Sequence, residues 1–328
     1  MRYLLRRLGF FLLTLWAALT LNFFLPRFMP GDPVDALTVR TRGRVSREAL
    51  EQMLTSFGFK PDQNVFVQYV DYLGHMFTGD WGRSIGQTLG EPVTSLIGGA
   101  LPWTLGLVGT TTVLAFLLGT LIGTVAGWRR GGALDAILPP VFVVTSALPY
   151  FWVGLLLILV FSEGTGGLLP ANFNYDTSIV PGFSPGFVGS VLSHAILPAA
   201  TLLITTVGGW ILTMRNNMIT TLAEDYVRMA RAKGLTGRRI MYGYAARNAI
   251  LPNLAGFAMS LGFVISGAIL IEYVFNYPGV GYLLYNAVQN VDYPLMQALF
   301  MLFTVAVLVA LLAVDLATVW LDPRARAR

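Results

Sequence analysis

Apolar residues run almost without interruption along six stretches of the chain, and polar residues collect between them. The stretches are 8–25, 101–128, 136–161, 188–214, 251–274 and 295–320. A helix of about 20 apolar residues crosses the hydrocarbon core of a bilayer. The pattern therefore predicts an all-α membrane protein with six transmembrane helices. Arg2, Arg6 and Arg7 precede the first run as they would in a signal peptide. The run is too long for one, and no small-residue cleavage site precedes Pro26, so it reads as a retained span. Gly or Pro interrupts the second, third and fifth runs; Pro139, Pro140 and Pro149 predict a kink in the third or mark its start.

Between the first two runs lies a polar segment too long for a simple loop. Pro30-Gly31-Asp32-Pro33 reads as a turn. Residues 46–54 read as a short helix with Ser46 as N-cap. Residues 65–77 read as an amphipathic helix, because Val65, Tyr69, Tyr72, Leu73 and Met76 recur at helical spacing. Gly79-Asp80-Trp81-Gly82-Arg83-Ser84 returns the chain to the membrane. Residues 163–187 read as an irregular loop. In 275–290, Pro278-Gly279-Val280-Gly281 is followed by an amphipathic stretch suited to a re-entrant or interfacial helix. In outline, 1–28 holds the first transmembrane helix and 29–100 an extracytoplasmic subdomain forming a small helical cap. Residues 101–320 form a five-helix core with a cytoplasmic loop at 215–250, and 321–328 a cytoplasmic tail.

Composition supports a chain that faces lipid: 55% of its 328 residues are hydrophobic and 12% charged, where soluble domains carry about a quarter charged. The net charge of +5 invites a nucleic-acid reading, but topology explains it. With the N-terminus inside, Arg2, Arg6, Arg7, Arg129, Arg130, Arg215, Arg228, Arg231, Lys233, Arg238, Arg239, Arg247, Arg324, Arg326 and Arg328 all fall on the cytoplasmic side. Both termini are then cytoplasmic, membrane lipid is the surrounding partner, and nucleic acid is excluded.

Catalytic chemistry finds little to stand on. The absence of Cys removes disulfides and thiolate metal sites. No Walker A loop, H-E-x-x-H or G-x-S-x-G occurs, so the chain is predicted to be no enzyme and to hold no metal. His194 reads as a satisfied helix-end histidine. Ionisable residues inside spans are functional candidates. Glu272 ends the fifth span and is either a hydrated or capping group or a gate in a passage. Asp315 lies in the last turns of the sixth span and suits a structural pairing. Asn22 lies within the first span. No carboxylate sits near a midplane, which argues against a secondary transporter.

One polar stretch, 221–252, is built unlike a solvated loop. Thr221-x-x-Glu224 reads as a capping box. Glu224 and Asp225 fill a first turn, Arg231 and Lys233 a last turn, and Gly234 follows at the usual C-terminal glycine position. Glu224 and Arg228 stand at pairing distance along the helix. Tyr226, Val227, Met229 and Ala230 form an apolar strip, and a second helix starts near Thr236. Small residues Ala230 and Ala232 suit close approach to a groove on another protein; lying on the membrane surface is the other reading.

Asp225-Tyr226-Val227-Arg228-Met229-Ala230-Arg231-Ala232-Lys233-Gly234-Leu235 resembles the EAA loop of bacterial ABC importer permeases of the dipeptide/oligopeptide family. Met29-Pro30-Gly31-Asp32-Pro33 and Gly79-Asp80-Trp81-Gly82-Arg83-Ser84 resemble its B-type subunit. Pro149-Tyr150-Phe151-Trp152, Arg247-Asn248-Ala249-Ile250-Leu251-Pro252, Glu272-Tyr273-Val274-Phe275 and Asp322-Pro323-Arg324 extend the likeness. The resemblance implies a type I ABC importer permease fold. It implies a heterodimer with a second permease subunit, two ATP-binding subunits and an extracytoplasmic solute-binding protein. It implies no cofactor on this chain, with ATP and Mg held by the partner ATPases. Carried over, the ATPase-coupling residues are Glu224, Asp225, Tyr226, Arg228, Ala230, Ala232, Lys233 and Gly234. Arg228 stands where the loop has its glutamate. Tyr244-Ala245-Ala246-Arg247-Asn248 departs from the peptide-permease pattern, which leaves oligosaccharides as an alternative cargo. A secondary transporter or channel without ATPase partners is the alternative from another class.

Overall fold

The computed structural model describes residues 2–57, 63–86 and 88–321; the expected tail at 321–328 lies outside them beyond Leu321. The described residues are helical throughout, apart from loops and one isolated bridge between Arg83 and Pro92. In chain order the α-helices are α1 (Arg2–Phe28), α2 (Pro33–Arg40), α3 (Arg47–Ser56), α4 (Val65–Thr78), α5 (Val93–Thr104), α6 (Thr110–Trp128), α7 (Ala133–Ala147) and α8 (Tyr150–Ile158). They continue as α9 (Pro185–Leu222), α10 (Asp225–Ala232), α11 (Gly237–Arg239), α12 (Arg247–Ala249), α13 (Leu251–Val264), α14 (Ile269–Val274), α15 (Val280–Gln289) and α16 (Tyr293–Leu321). π-helical turns occupy Leu105–Gly109, Leu159–Glu163 and Ile240–Ala246.

Among the described residues, four helical stretches are long and apolar enough to cross a membrane: Gly9–Phe28, Val93–Trp128, Pro185–Leu222 and Tyr293–Ala313. A fifth crossing is available if the bent pair α7 and α8 counts as one. The bend falls at Leu148-Pro149, not at Pro139 or Pro140, which α7 absorbs. Leu148 is extended at ψ 132°, the conformation that a following proline imposes. The expected fifth run is divided: α13 has 14 residues, about 21 Å of helix, and α14 follows after a break. The expected fourth run is longer than its apolar core. α9 starts at Pro185, capped by the Ser184 hydroxyl accepting from the Phe187 N–H, and has 38 residues, about 57 Å.

The helices divide into two compact units. One comprises Met1–Thr104, Ile265–Ile269 and Pro278–Val309. Its core interleaves Val93, Ile97 and Ala100 of α5 with Val280, Leu284 and Ala287 of α15 and with Leu295, Met296 and Leu299 of α16. The amphipathic stretch expected near 280 is thus a buried helix, anchored by its Val280 N–H donating to the Thr104 hydroxyl at 2.8 Å. The described residues of the 29–100 segment form α2, α3, α4 and the start of α5. Asp32 caps α2, where the sequence suggested only a turn, and Ser46 caps α3 as expected. Val34 and Leu37 of α2 pack on Leu50 and Leu54 of α3 and on Ile85. α4 lays Tyr72 and Met76 on Leu19 and Phe23 of α1, whereas Val65 stays exposed.

Asp292 ties the return loop of this unit to α16. Its carboxylate is buried and accepts from the Ser84 hydroxyl and from the N–H groups of Ile85 (3.2 Å), Gly86 (3.0 Å) and Leu295 (3.3 Å). A Cβ on Gly86 would stand 2.7 Å from that carboxylate, so the loop closes only around glycine. Asp292→Ala strands three donors of the loop; we expect a loss of about 3 kcal/mol, read as lower thermal stability and faster proteolysis between residues 82 and 92.

The second unit comprises Leu105–Val264, Leu270–Tyr277 and Ala310–Arg328. Gly119, Gly123 and Gly127 form a stripe on α6 that lets α9 approach closely. Added Cβ atoms there would lie 2.4 Å from Trp210 Cβ, 2.5 Å from the Ile211 carbonyl and 2.5 Å from Met218 Cβ. With no hydrophobic drive between helices in lipid, such close backbone packing is a main source of association. Asp135 of α7 pairs with Arg215 of α9 and accepts from the Gly131 N–H at 2.8 Å.

Candidate functional site

α10 follows α9 after one extended residue. Ala223 closes α9, and Glu224, at ψ 147°, is the N-cap of α10. The expected capping box does not form: Thr221 is still inside α9, where its carbonyl accepts from the Glu224 N–H at 3.1 Å. α9 continues past Met214, where its apolar stretch ends, and so takes in Thr221. The expected Glu224–Arg228 pair is replaced by Arg228 and Asp225 at 3.6 Å, both exposed.

The C-terminal end forms as the sequence predicts. Lys233 is the C-cap and Gly234 adopts φ +72°. The Gly234 N–H donates to the Arg231 carbonyl (2.9 Å) and the Leu235 N–H to the Ala230 carbonyl (3.3 Å). These two bonds are a complete Schellman motif, with Leu235 packed against the cluster that contains Ala230. The next helical stretch, α11, starts at Gly237, next to Thr236 where the sequence placed a second helix; the Thr236 side chain makes no capping bond.

Two residues of the expected apolar strip face inward and two outward. Val227 and Ala230 are buried with Ile240, against Trp128, Leu222, Leu235 and Tyr244. Tyr226 and Met229 are exposed, at 38% and 61%. Inward residues three apart are what one face of an eight-residue helix provides. Ala230 thus brings α10 close to its own chain. The outward surface carries Asp225, Arg228, Met229, Arg231, Ala232 and Lys233, with Glu224 and Gly234 at its ends, all exposed. Two supports were not singled out beforehand. Arg231 stands 6.0 Å from the Trp128 ring, and the Asn248 side-chain amide donates to the Tyr226 hydroxyl at 2.8 Å. The terminal aromatic of the α6 run was the available signal for the first; nothing local signals the second, which joins residues 22 positions apart.

The other candidates lie apart from α10. Glu272 of α14 is fully buried. Burial, and then its charge, push the Tyr277 hydroxyl up to about 12. Asn22 is buried with an unbonded amide nitrogen. His194 donates from Nδ1 to the Ser190 carbonyl at 2.8 Å, satisfied within its helix. Asp315 lies in α16.

The family described as binding-protein-dependent transport system inner membrane component matches residues 119–327, a span that contains α10 and its supports. The chain belongs to this family. The similarity extends beyond that span to nearly all of several curated relatives. The dipeptide transport system permease protein DppB of Lactococcus lactis is 30% identical over 325 residues, 99% of both chains. The oligopeptide transport system permease protein AppB of Bacillus subtilis is 32% identical over 327 residues, 98% of each. The dipeptide permease DppB of Escherichia coli is 31% identical over 342 aligned positions, 99% of each. With its apolar helices, this inner membrane component is a multi-pass membrane protein.

Proposed function

We propose that this chain is one permease subunit of an ATP-driven importer that carries short peptides across the cytoplasmic membrane. α10 is the helix through which a separate ATPase drives it. The observation that carries this reading is the build of α10: eight residues closed at the C-terminal end by a Schellman turn, buttressed by Val227 and Ala230, with a charged outer face interrupted by exposed Met229. A helix of this length has little stability alone, so its order comes from the chain beneath it. Such a rigid projection transmits displacement. Counting α7 with α8, and α13 with α14, as broken spans gives six crossings with both termini inside. α10 then faces the cytoplasm and the 29–100 cluster the outside. The importer is completed by a second permease, two ATPase subunits that bind ATP and Mg, and a solute-binding protein. Peptide names on relatives matched along their whole length favour peptide over oligosaccharide cargo. Proteoliposomes holding the assembled importer, with binding protein outside, are expected to take up labelled trialanine only when ATP is supplied to the ATPase side. Uptake driven by an ion gradient without ATP would replace this reading with a secondary transporter.

A further inference from the structure

The first unit holds a cavity of about 400 Å³ between the end of α1, α4, the 80–83 turn and the start of α16. Sites for small ligands fall at roughly 300–1,000 Å³. We propose that this cavity binds a short zwitterionic peptide, its C-terminal carboxylate received by Arg27, Tyr72 and Trp81 and its N-terminal ammonium by Asp71 and Asp80.

Three observations carry the assignment. Arg27 is half-buried and donates to the Phe23 carbonyl and to Gln68 Oε1, both at 2.7 Å. Among the described residues it joins no ion pair, so two neutral acceptors and the Phe23 ring, 3.5 Å from its guanidinium carbon, are what offset its charge. Tyr72 is 94% buried and its hydroxyl has no hydrogen-bond partner in the protein; the same holds for the buried indole N–H of Trp81. A buried donor left unsatisfied is destabilising. An indole N–H can only donate. A cation and two unsatisfied donors around one cavity therefore suit an anion with several acceptor sites, which a carboxylate is. Finally, Asp71, which accepts from Gln63 at 3.3 Å, and Asp80, 3.7 Å from His75, line the same cavity and are exposed, so carboxylates stand at the other end for the ammonium of a zwitterion. The aromatic walls at Phe23, Phe57 and Tyr293 suit apolar side chains.

The inference rests on the peptide-permease reading, under which this cavity faces the outside, ahead of the membrane. The test uses the purified importer complex without its binding protein, with radiolabelled trialanine as probe. Wild-type complex is expected to bind trialanine, and trialanine amide about tenfold more weakly. Tyr72→Phe and Trp81→Phe are each expected to weaken trialanine binding about tenfold and to leave trialanine amide unchanged. Tyr72→Phe should leave the melting temperature unchanged or higher, since it removes a donor with no partner in the chain; Trp81→Phe also trims a ring packed against two apolar clusters and should lower it slightly. No trialanine binding to wild type, or equal binding by wild type and both variants, overturns the site. Inorganic phosphate displacing trialanine at equal concentration, with the same loss in the variants, overturns the peptide assignment in favour of a general anion site. ATP-driven uptake by the wild type is scored separately: uptake with unaltered binding in the variants rejects the cavity and leaves the importer standing.

Discussion

Gly234→Val is expected to abolish ATP-driven uptake while the protein still reaches the membrane. Gly234 sits at φ +72°, where a β-branched residue is a steric outlier. The strain is about 2 kcal/mol, roughly a 30-fold shift in the population of the correct turn. The two bonds that close α10, from Gly234 to Arg231 and from Leu235 to Ala230, depend on that turn. The effect stays local, because α10 is peripheral to the packing of α6 on α9. Gly243→Ala is the control: a Cβ there meets nothing within 4 Å and its φ is not positive. Uptake and ATPase stimulation in membranes matched for protein content check the result. Wild-type uptake by Gly234→Val would show that the closed α10 is not needed.

Gly123→Val is expected to act on the opposite level, the fold itself. Its Cβ would lie 2.5 Å from the Ile211 carbonyl and 2.8 Å from Met214 Cβ. Neither can yield without moving the α9 backbone. Overpacking of this kind costs roughly 1–3 kcal/mol, and more where backbone is the obstacle. The protein should accumulate poorly and melt several degrees lower in detergent. Gly209→Ala on α9, where no atom lies within 4 Å, should match the wild type. Equal melting of Gly123→Val and wild type would mean that α6 and α9 do not pack as described.

These two glycines also show what could be read in advance. Gly234 was legible because helix termination is local: a basic last turn followed by glycine has few other uses. The start of α10 was not legible in the same way. Thr221 and Glu224 have the spacing of a capping box, but α9, already 37 residues long at Thr221, carries its helix through the threonine. The apolar strip was found without its division, since Tyr226 and Met229 are as apolar as Val227 and Ala230. Only the position of Ile240 and Leu222 beneath the helix decides which pair turns in. The six apolar runs located the long helices but not their ends. Pro149 breaks its run with Leu148 extended before it, whereas Pro139 and Pro140 are absorbed into α7, so proline alone does not mark the break. The tie from Asp292 to Ser84 spans 208 positions and had no sequence signal.

The central claim, that an ATPase docks on the outward face of α10, meets its most direct test in cysteine cross-linking. The chain contains no Cys, so one introduced at Ala232 is unique in it. Ala232 is exposed and Ala230, on the same helix, is 2% exposed. In membranes holding the assembled importer, Ala232→Cys is expected to cross-link to the ATPase subunit through a short thiol-to-amine reagent, and Ala230→Cys is not. An importer that takes up peptide with ATP, yet in which Ala232→Cys never joins the ATPase, would contradict the claim.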